Sequence, residues 1–208
     1  MTNVKSQPAS LRADRAAVTR RRIADTARAL FAAHGYGATT LREVAVAAGV
    51  AVQTVYAVFG SKANILRELR VGLITDSAAD GAFDAAMAAS SPPRALDLFA
   101  HSIRLRWETG HDIVAIHIEA ASTDPTTRAE VEAVLAGRRR GIGRLARSLV
   151  TMQPSLDAGQ VTGVLDALTL AEVYAELVVV QGWSADAYET WLADALRRLV
   201  LAATPGRA

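Results

Sequence analysis

Apolar positions recur along this chain with helical spacing almost from end to end. In the front third, Ile23, Ala27, Leu30 and Phe31 fall three and four residues apart and define one face of a helix that Gly35 closes. A second, short helix follows. Thr40-x-x-Glu43 opens it as a capping box, in which each side chain takes a backbone N–H that the helix start leaves free. Val44, Ala45 and Ala48 line its inner face, and Gly49 ends it. A third segment, Val52 to Phe59, turns Val55 and Phe59 inward. Gly60-Ser61 ends that segment, with Ser61 as the N-cap of a long helix starting at Lys62. Two short helices joined by a glycine-containing turn of three or four residues form a helix-turn-helix.

Beyond residue 70 the pattern stays helical, with breaks at "SSPP" (90–93), "ETGHD" (108–112), "TDP" (123–125), "QPS" (153–155) and "GWS" (182–184). No alternating stretch bounded by turn residues reads as a strand. The expected fold class is all-α with about nine helices. In the last of them, Ser184 is the N-cap, Trp183 is placed to staple onto Tyr188, and Tyr188, Trp191, Leu192, Ala195, Leu196, Leu199 and Val200 form a broad apolar face. The preceding helix, about 157–181, is apolar on more than one side. Such a pair fills a core or meets a second copy of itself. Residues 1–16, which mix Ser, Gln, Pro and Arg without a period, read as a flexible basic arm. Residues 17–66 read as the helix-turn-helix domain, and 67–208 as a larger helical domain.

Charge divides the chain in the same place. Residues 1–70 hold 11 Lys/Arg against 4 Asp/Glu, a net +7, whereas residues 71–208 hold 12 against 17, a net −5. A basic front and an acidic back suggest that the front meets a polyanion. The chain has no cysteine, which excludes disulfides, thiolate metal sites and cysteine nucleophiles. The N-terminus lacks the apolar core of a secretion signal. The most apolar later run, "VTGVLDALTLAEVYAELVVV", carries Asp166, Glu172 and Glu176, which argues against a membrane span. The expected location is the cytoplasm, with no membrane partner. His117-x-Glu119 imitates a zinc-deaminase fragment, but its C-x-x-C partner is absent. Neither H-E-x-x-H nor G-x-S-x-G occurs. No metal, cofactor or catalytic group is expected.

A helix-turn-helix lays its second helix in the DNA major groove. At the start of that helix stand Val52, Gln53 and Thr54. Gln53 suits a bidentate contact with adenine, and Val52 or the Thr54 methyl suits a thymine methyl. Arg42 on the first short helix could reach guanine or phosphate, and Tyr56 could offer its hydroxyl to a phosphate. Lys62 and Arg20, Arg21 and Arg22 stand where helices are expected to start. There their charges oppose the helix dipole, unless a phosphate supplies the counter-charge.

The segment "ADTARALFAAHGYGATTLREVAVAAGVAVQTVYAVFGSKANIL" resembles the DNA-binding domain of the tetracycline-repressor (TetR) family of bacterial regulators over roughly residues 20–66. The resemblance implies an all-α homodimer with a three-helix reading head and a C-terminal domain for a small effector and for dimerisation. It implies DNA contacts from Thr40 and Arg42, from Val52, Gln53, Thr54 and Tyr56, and a phosphate contact from Lys62. One departure stands out. Ala57-Val58 occupy the place of a pair that is often Tyr-His, which removes up to two backbone contacts and shifts the burden onto the arginines.

The implied partners are a double-stranded, pseudo-palindromic operator, a small and largely apolar effector, and a second copy of the chain. The expected dimer interface is a four-helix bundle using Val164, Leu168 and Val179 from one helix and Trp191, Leu192, Leu196 and Leu199 from the other. Trp107, His111, His117, Glu119 and Tyr174 are the candidate effector contacts. The run "GRRRGIGRLAR" (137–147) reads as a solvated helix face paired with Glu130 and Glu132. Two other classes compete: a non-specific architectural DNA binder without effector, and an enzyme carrying a helix-turn-helix-like fragment.

Overall fold

The computed structural model describes the backbone of residues 7–75 and 77–202. Residues 1–6 of the expected arm lie outside the described residues. Helix α1 spans Gln7–His34, so Gln7–Ala16, expected to be irregular, are helical. The reason is local. Pro8 is tolerated in a first turn, and between it and Gly35 there is neither Gly nor Pro, while Ala, Leu and Arg dominate. Gly35, at φ 87°, ends α1 with its N–H on the Phe31 carbonyl at 2.9 Å.

Helices α2 (Leu41–Ala47) and α3 (Val52–Phe59) follow, with axes 114° apart, and then α4 (Lys62–Ile74). The C-terminal part comprises α5 (Ser77–Met87), α6 (Pro92–Thr123), α7 (Pro125–Met152) and α8 (Ala158–Leu168). It closes with α9 (Ala171–Tyr174), which runs into a π-helical turn over Ala175–Val180, and α10 (Ala185–Leu201). The described residues thus form ten helices.

Two expected boundaries differ. At 108–112 the chain does not break. Instead α6 kinks at Gly110, whose φ/ψ of −153°/16° is non-helical. Leu73 of α4 packs against this point so closely that a Cβ on Gly110 would lie 2.3 Å from its Cδ1. Conversely, the stretch expected as one helix over 157–181 divides at Thr169–Leu170. The Thr169 hydroxyl donates to the Leu165 carbonyl (2.6 Å) and accepts from Arg138 Nη2 (2.8 Å). Its own carbonyl accepts from Trp107 Nε1 (3.1 Å). Three partners on three helices hold this residue where a continuing helix would need its carbonyl.

The buried side chains form two cores. The front core gathers Ile23, Ala27, Phe31, Leu41, Val44, Val55, Phe59, Ile65, Leu66 and Leu69, together with Ile113, Ile116 and Ala120 of α6. The back core contains the first half of α6, from Ala95 to Trp107, with α7, α8, α9 and α10. The second half of α6 therefore belongs to the reading head. Helix α4 runs on through residues 66 and 67.

Of the expected dimer residues, Leu192 and Leu196 are fully buried in the chain's own back core with Tyr188 and Val200, so they face α6 rather than a partner. Val164, Leu168 and Trp191 are half-buried, while Val179 and Leu199 are exposed. Trp183 packs edge-on against Trp191, with ring centroids 6.1 Å apart, in place of the expected staple onto Tyr188. No single described helix is long and apolar enough to cross a membrane.

Candidate nucleic-acid interface

The α2–α3 unit is fixed by its own backbone. At the start of α2, Thr40 N donates to Glu43 Oε2 (2.7 Å) and Glu43 N to Thr40 Oγ1 (3.2 Å), closing the capping box. The Thr40 hydroxyl also donates to Glu43 Oε2 (2.8 Å), and these bonds hold the Glu43 carboxyl below its ordinary range. Thr40, expected to touch DNA, has both polar groups engaged in the cap. At the end of α2, Gly49 adopts φ 63°, where a side chain would be strained. Val50 N reaches back to the Ala45 carbonyl (3.0 Å) and Gly49 N to that of Val46 (3.1 Å). This paired closure is a Schellman motif, and it sets the sharp entry into α3.

Helix α3 turns Val55 and Phe59 into the front core, as its periodicity requires. Gln53, Tyr56 and Ala57 lie outside, with Tyr56 56% exposed, and Val52 and Thr54 are half-buried beside them. Arg42, on α2, is also exposed. The side chains of Gln53, Tyr56 and Arg42 hold no hydrogen-bond or ion-pair partner among the described residues, so their polar groups stay available to an outside ligand.

The cations of the front divide into two sets. Arg21 and Arg22 are exposed and without an ion pair among the described residues. Arg20 is not free. Its Nε donates to Glu68 Oε2 (2.6 Å), its Nη1 to the Val58 carbonyl (3.0 Å), and its Cζ lies 4.5 Å from the Phe59 ring centroid. It ties α1 to α3 and α4. None of the three arginines opens a helix, because α1 begins more than ten residues earlier. The expected opposition to a helix dipole therefore does not arise. Arg28 grips Asp112 of α6 through Nε (2.7 Å), and Arg67 and Arg70 share Glu130 of α7.

Lys62 departs furthest from expectation. Its ammonium turns inward, donating to the carbonyls of Tyr36 (2.6 Å) and Gly37 (3.3 Å), 4.6 Å from the Tyr36 ring centroid. Burial lowers its pKa, against the attraction of Glu119 and Glu43. From the other side, Glu119 of α6 accepts from Tyr36 N (2.9 Å) and Gly37 N (3.0 Å), which depress its pKa. A cation takes the turn's carbonyls and an anion takes its amides. Glu119 Oε1 would lie 3.1 Å from a Cβ on Gly35, so the first glycine of "GYG" leaves room for the carboxylate. Lys62 and Glu119 thus clamp the turn from its two sides. The "GYG" turn was the visible signal, and its occupant, 82 residues from Gly37, was not.

The other effector candidates separate. Trp107, His111 and Tyr174 converge: His111 Nδ1 donates to the Trp107 carbonyl (2.9 Å), and the His111 and Tyr174 ring centroids lie 5.3 Å apart. His117 does not join them. It is buried beside the reading head, donating Nδ1–H to the Ile113 carbonyl (2.8 Å), and burial lowers its pKa. The arginine run also differs from expectation. Glu130 is taken by α4, and Arg138 pairs with Asp166 and Thr169.

Residues 23–69 match the family described as "Bacterial regulatory proteins, tetR family". Solved structures align over nearly the whole chain. NalD of Pseudomonas aeruginosa, the secondary repressor of the MexAB-OprM multidrug efflux pump, is 20% identical with a TM-score of 0.65, covering 90% of this chain and 98% of its own. The ketosteroid transcriptional regulator KstR2 of Mycobacterium tuberculosis is 21% identical with a TM-score of 0.65, covering 87% and 94%. FadR of Bacillus subtilis, solved with stearoyl-CoA, is 17% identical with a TM-score of 0.64, covering 85% and 96%. At these identities the likeness is one of fold. No curated protein sequence matches the chain.

Proposed function

We propose that this chain, a member of the TetR family of transcriptional regulators, acts in the cytoplasm as a homodimeric repressor that a small, largely apolar effector releases from a pseudo-palindromic operator. The observation that carries the reading is the outward face of α2–α3: the side chains of Arg42, Gln53 and Tyr56 stand exposed with no partner among the described residues, on a unit whose inner face is packed. In this reading Gln53, Val52 and Thr54 meet base edges, and Arg42, Tyr56, Arg21 and Arg22 meet the backbone. Dimerisation would use the outer face of α8 to α10, where Val164, Leu168, Val179, Trp191 and Leu199 remain after the core has taken Leu192 and Leu196. The like-folded repressor NalD, and FadR solved with stearoyl-CoA and its long acyl chain, support a repressor with a largely apolar effector.

Release requires the effector to prefer a conformation that DNA does not. Helix α6 offers the route, since its two halves lie in different cores. Footprinting the DNA upstream of the protein's own gene tests the reading. The expected protection covers two half-sites related by a twofold axis, with centres roughly 34–36 Å apart or a little more. Unbounded protection of any duplex would instead support a non-specific architectural binder.

A further inference from the structure

The most irregular part of the C-terminal body surrounds one hydroxyl. Tyr188 of α10 is fully buried, yet its phenolic oxygen has no hydrogen-bond partner among the described residues. An unpaired buried hydroxyl destabilises a fold, and phenylalanine would pack the same space without that penalty. Burial also pushes the phenol's pKa well above its ordinary range, so the group is a neutral donor.

Aromatic rings from α9 and α10 pack on the Tyr188 ring, and one from α6 follows behind them. Tyr174 of α9 lies edge-on, centroid to centroid 4.9 Å, and Trp191 lies 6.0 Å away. His111 of α6 packs on Tyr174 and donates to the Trp107 carbonyl. Each neighbouring segment is irregular. His111 follows the Gly110 kink, and Tyr174 lies between the break at Thr169–Leu170 and the π turn at Ala175–Val180. Such π turns concentrate at functional sites. Helix α9 is four residues of α-helix between two irregular points, so a ligand entering between α6 and α10 need displace only this short segment.

We propose that this junction of α6, α9 and α10 is the effector site, taking a flat, largely apolar molecule whose single carbonyl oxygen accepts the Tyr188 hydroxyl. The inference rests on the ligand-responsive reading above. The rings select flatness, and the unpaired O–H selects one acceptor. An uncharged carbonyl fits better than a carboxylate, because Arg104, one turn before Trp107 on α6, is already flanked by the two carboxylates of Glu108 and Asp186, although its Nε makes no hydrogen bond.

Two probes of one shape, 2-acetylnaphthalene and 2-ethylnaphthalene, test this by quenching of tryptophan fluorescence in the full chain without DNA. The acetyl compound is expected to bind roughly five- to tenfold more tightly, the worth of one hydrogen bond. Tyr188→Phe is expected to raise Tm and to reduce that preference to near unity. Equal binding of the two probes by the parent overturns the proposal. So does saturable binding of neither probe, a preference retained in Tyr188→Phe, or a lower Tm for that variant. Operator release is titrated separately. Binding with the expected preference but without release leaves the site standing and overturns the ligand-responsive reading instead.

Discussion

The front body, α1 to α4 with the second half of α6, ends its short helices on residues beside each break. Gly35, Thr40, Gly49 and Ser61 close or open them by bonds to backbone no more than five residues away. The back body ends α8 otherwise. Thr169 is held by Arg138 and Trp107, 31 and 62 residues distant. The kink in α6 likewise answers to Leu73 of α4. The turn after Gly35 is the exception in the front, held by Lys62 and by Glu119 of α6 from 25 to 83 residues away; the other front closures are local, and the outer face of α2–α3 stays exposed. At these two points of the back body the helix geometry depends on neighbouring helices.

The sharpest way to break this comparison is in the front core. Phe31 is buried against Tyr36, ring centroids 5.1 Å apart. Phe31→Ala is expected to cost about 3–5 kcal/mol in denaturant unfolding. Because Ile113, Ile116 and Ala120 of α6 share that core, the loss should appear in one transition rather than in a front that melts alone. Thr169→Val keeps the shape of the back-body break but removes the hydroxyl that Arg138 donates to. A loss of about 1–3 kcal/mol is expected by the same measurement, with helix content unchanged by circular dichroism. Thr40→Ala removes a purely local cap and should cost about 0.5–2 kcal/mol, with DNA affinity falling only as far as α2 frays.

The smallest effect expected is on pH dependence. Burial lowers the pKa of His117, so the unfolded chain binds a proton more readily than the folded one. Stability should therefore be full above the ordinary histidine range, about 6.5, and fall as pH drops below it. Glu43, Asp112, Glu119 and Asp124, with depressed pKa values, add their losses only further down, in the carboxylate range. Urea midpoints between pH 7.5 and 5 should fall with acid in the parent and flatten in His117→Asn.

The same locality decides what the sequence discloses. The limits of α2, α3 and α4 follow from Thr40, Gly49, Gly60 and Ser61, because the signal and the break are neighbours. The outward position of Gln53 and Tyr56 follows from the inward period of Val55 and Phe59. The division at Thr169 carries no signal in its own stretch, since an apolar run of that period continues through it. Leu192 and Leu196 share an apolar face with Trp191 and Leu199, and only packing against α6 tells which part is core. Lys62 was legible as a charge at a helix start but not as a clamp. Its carbonyl partners lie 26 and 25 residues back, and Glu119 comes from a helix in the other half of the chain.

The split among the front cations, some tied into the fold and some exposed without an ion pair among the described residues, can be measured as the salt dependence of DNA binding. Each lost phosphate contact lowers the slope of log K against log salt by about one. Arg42→Ala is expected to lower the slope by that amount with Tm unchanged, and Lys62→Ala to lower Tm and leave the slope as it is. A reduced slope in Lys62→Ala with Tm intact would contradict the account.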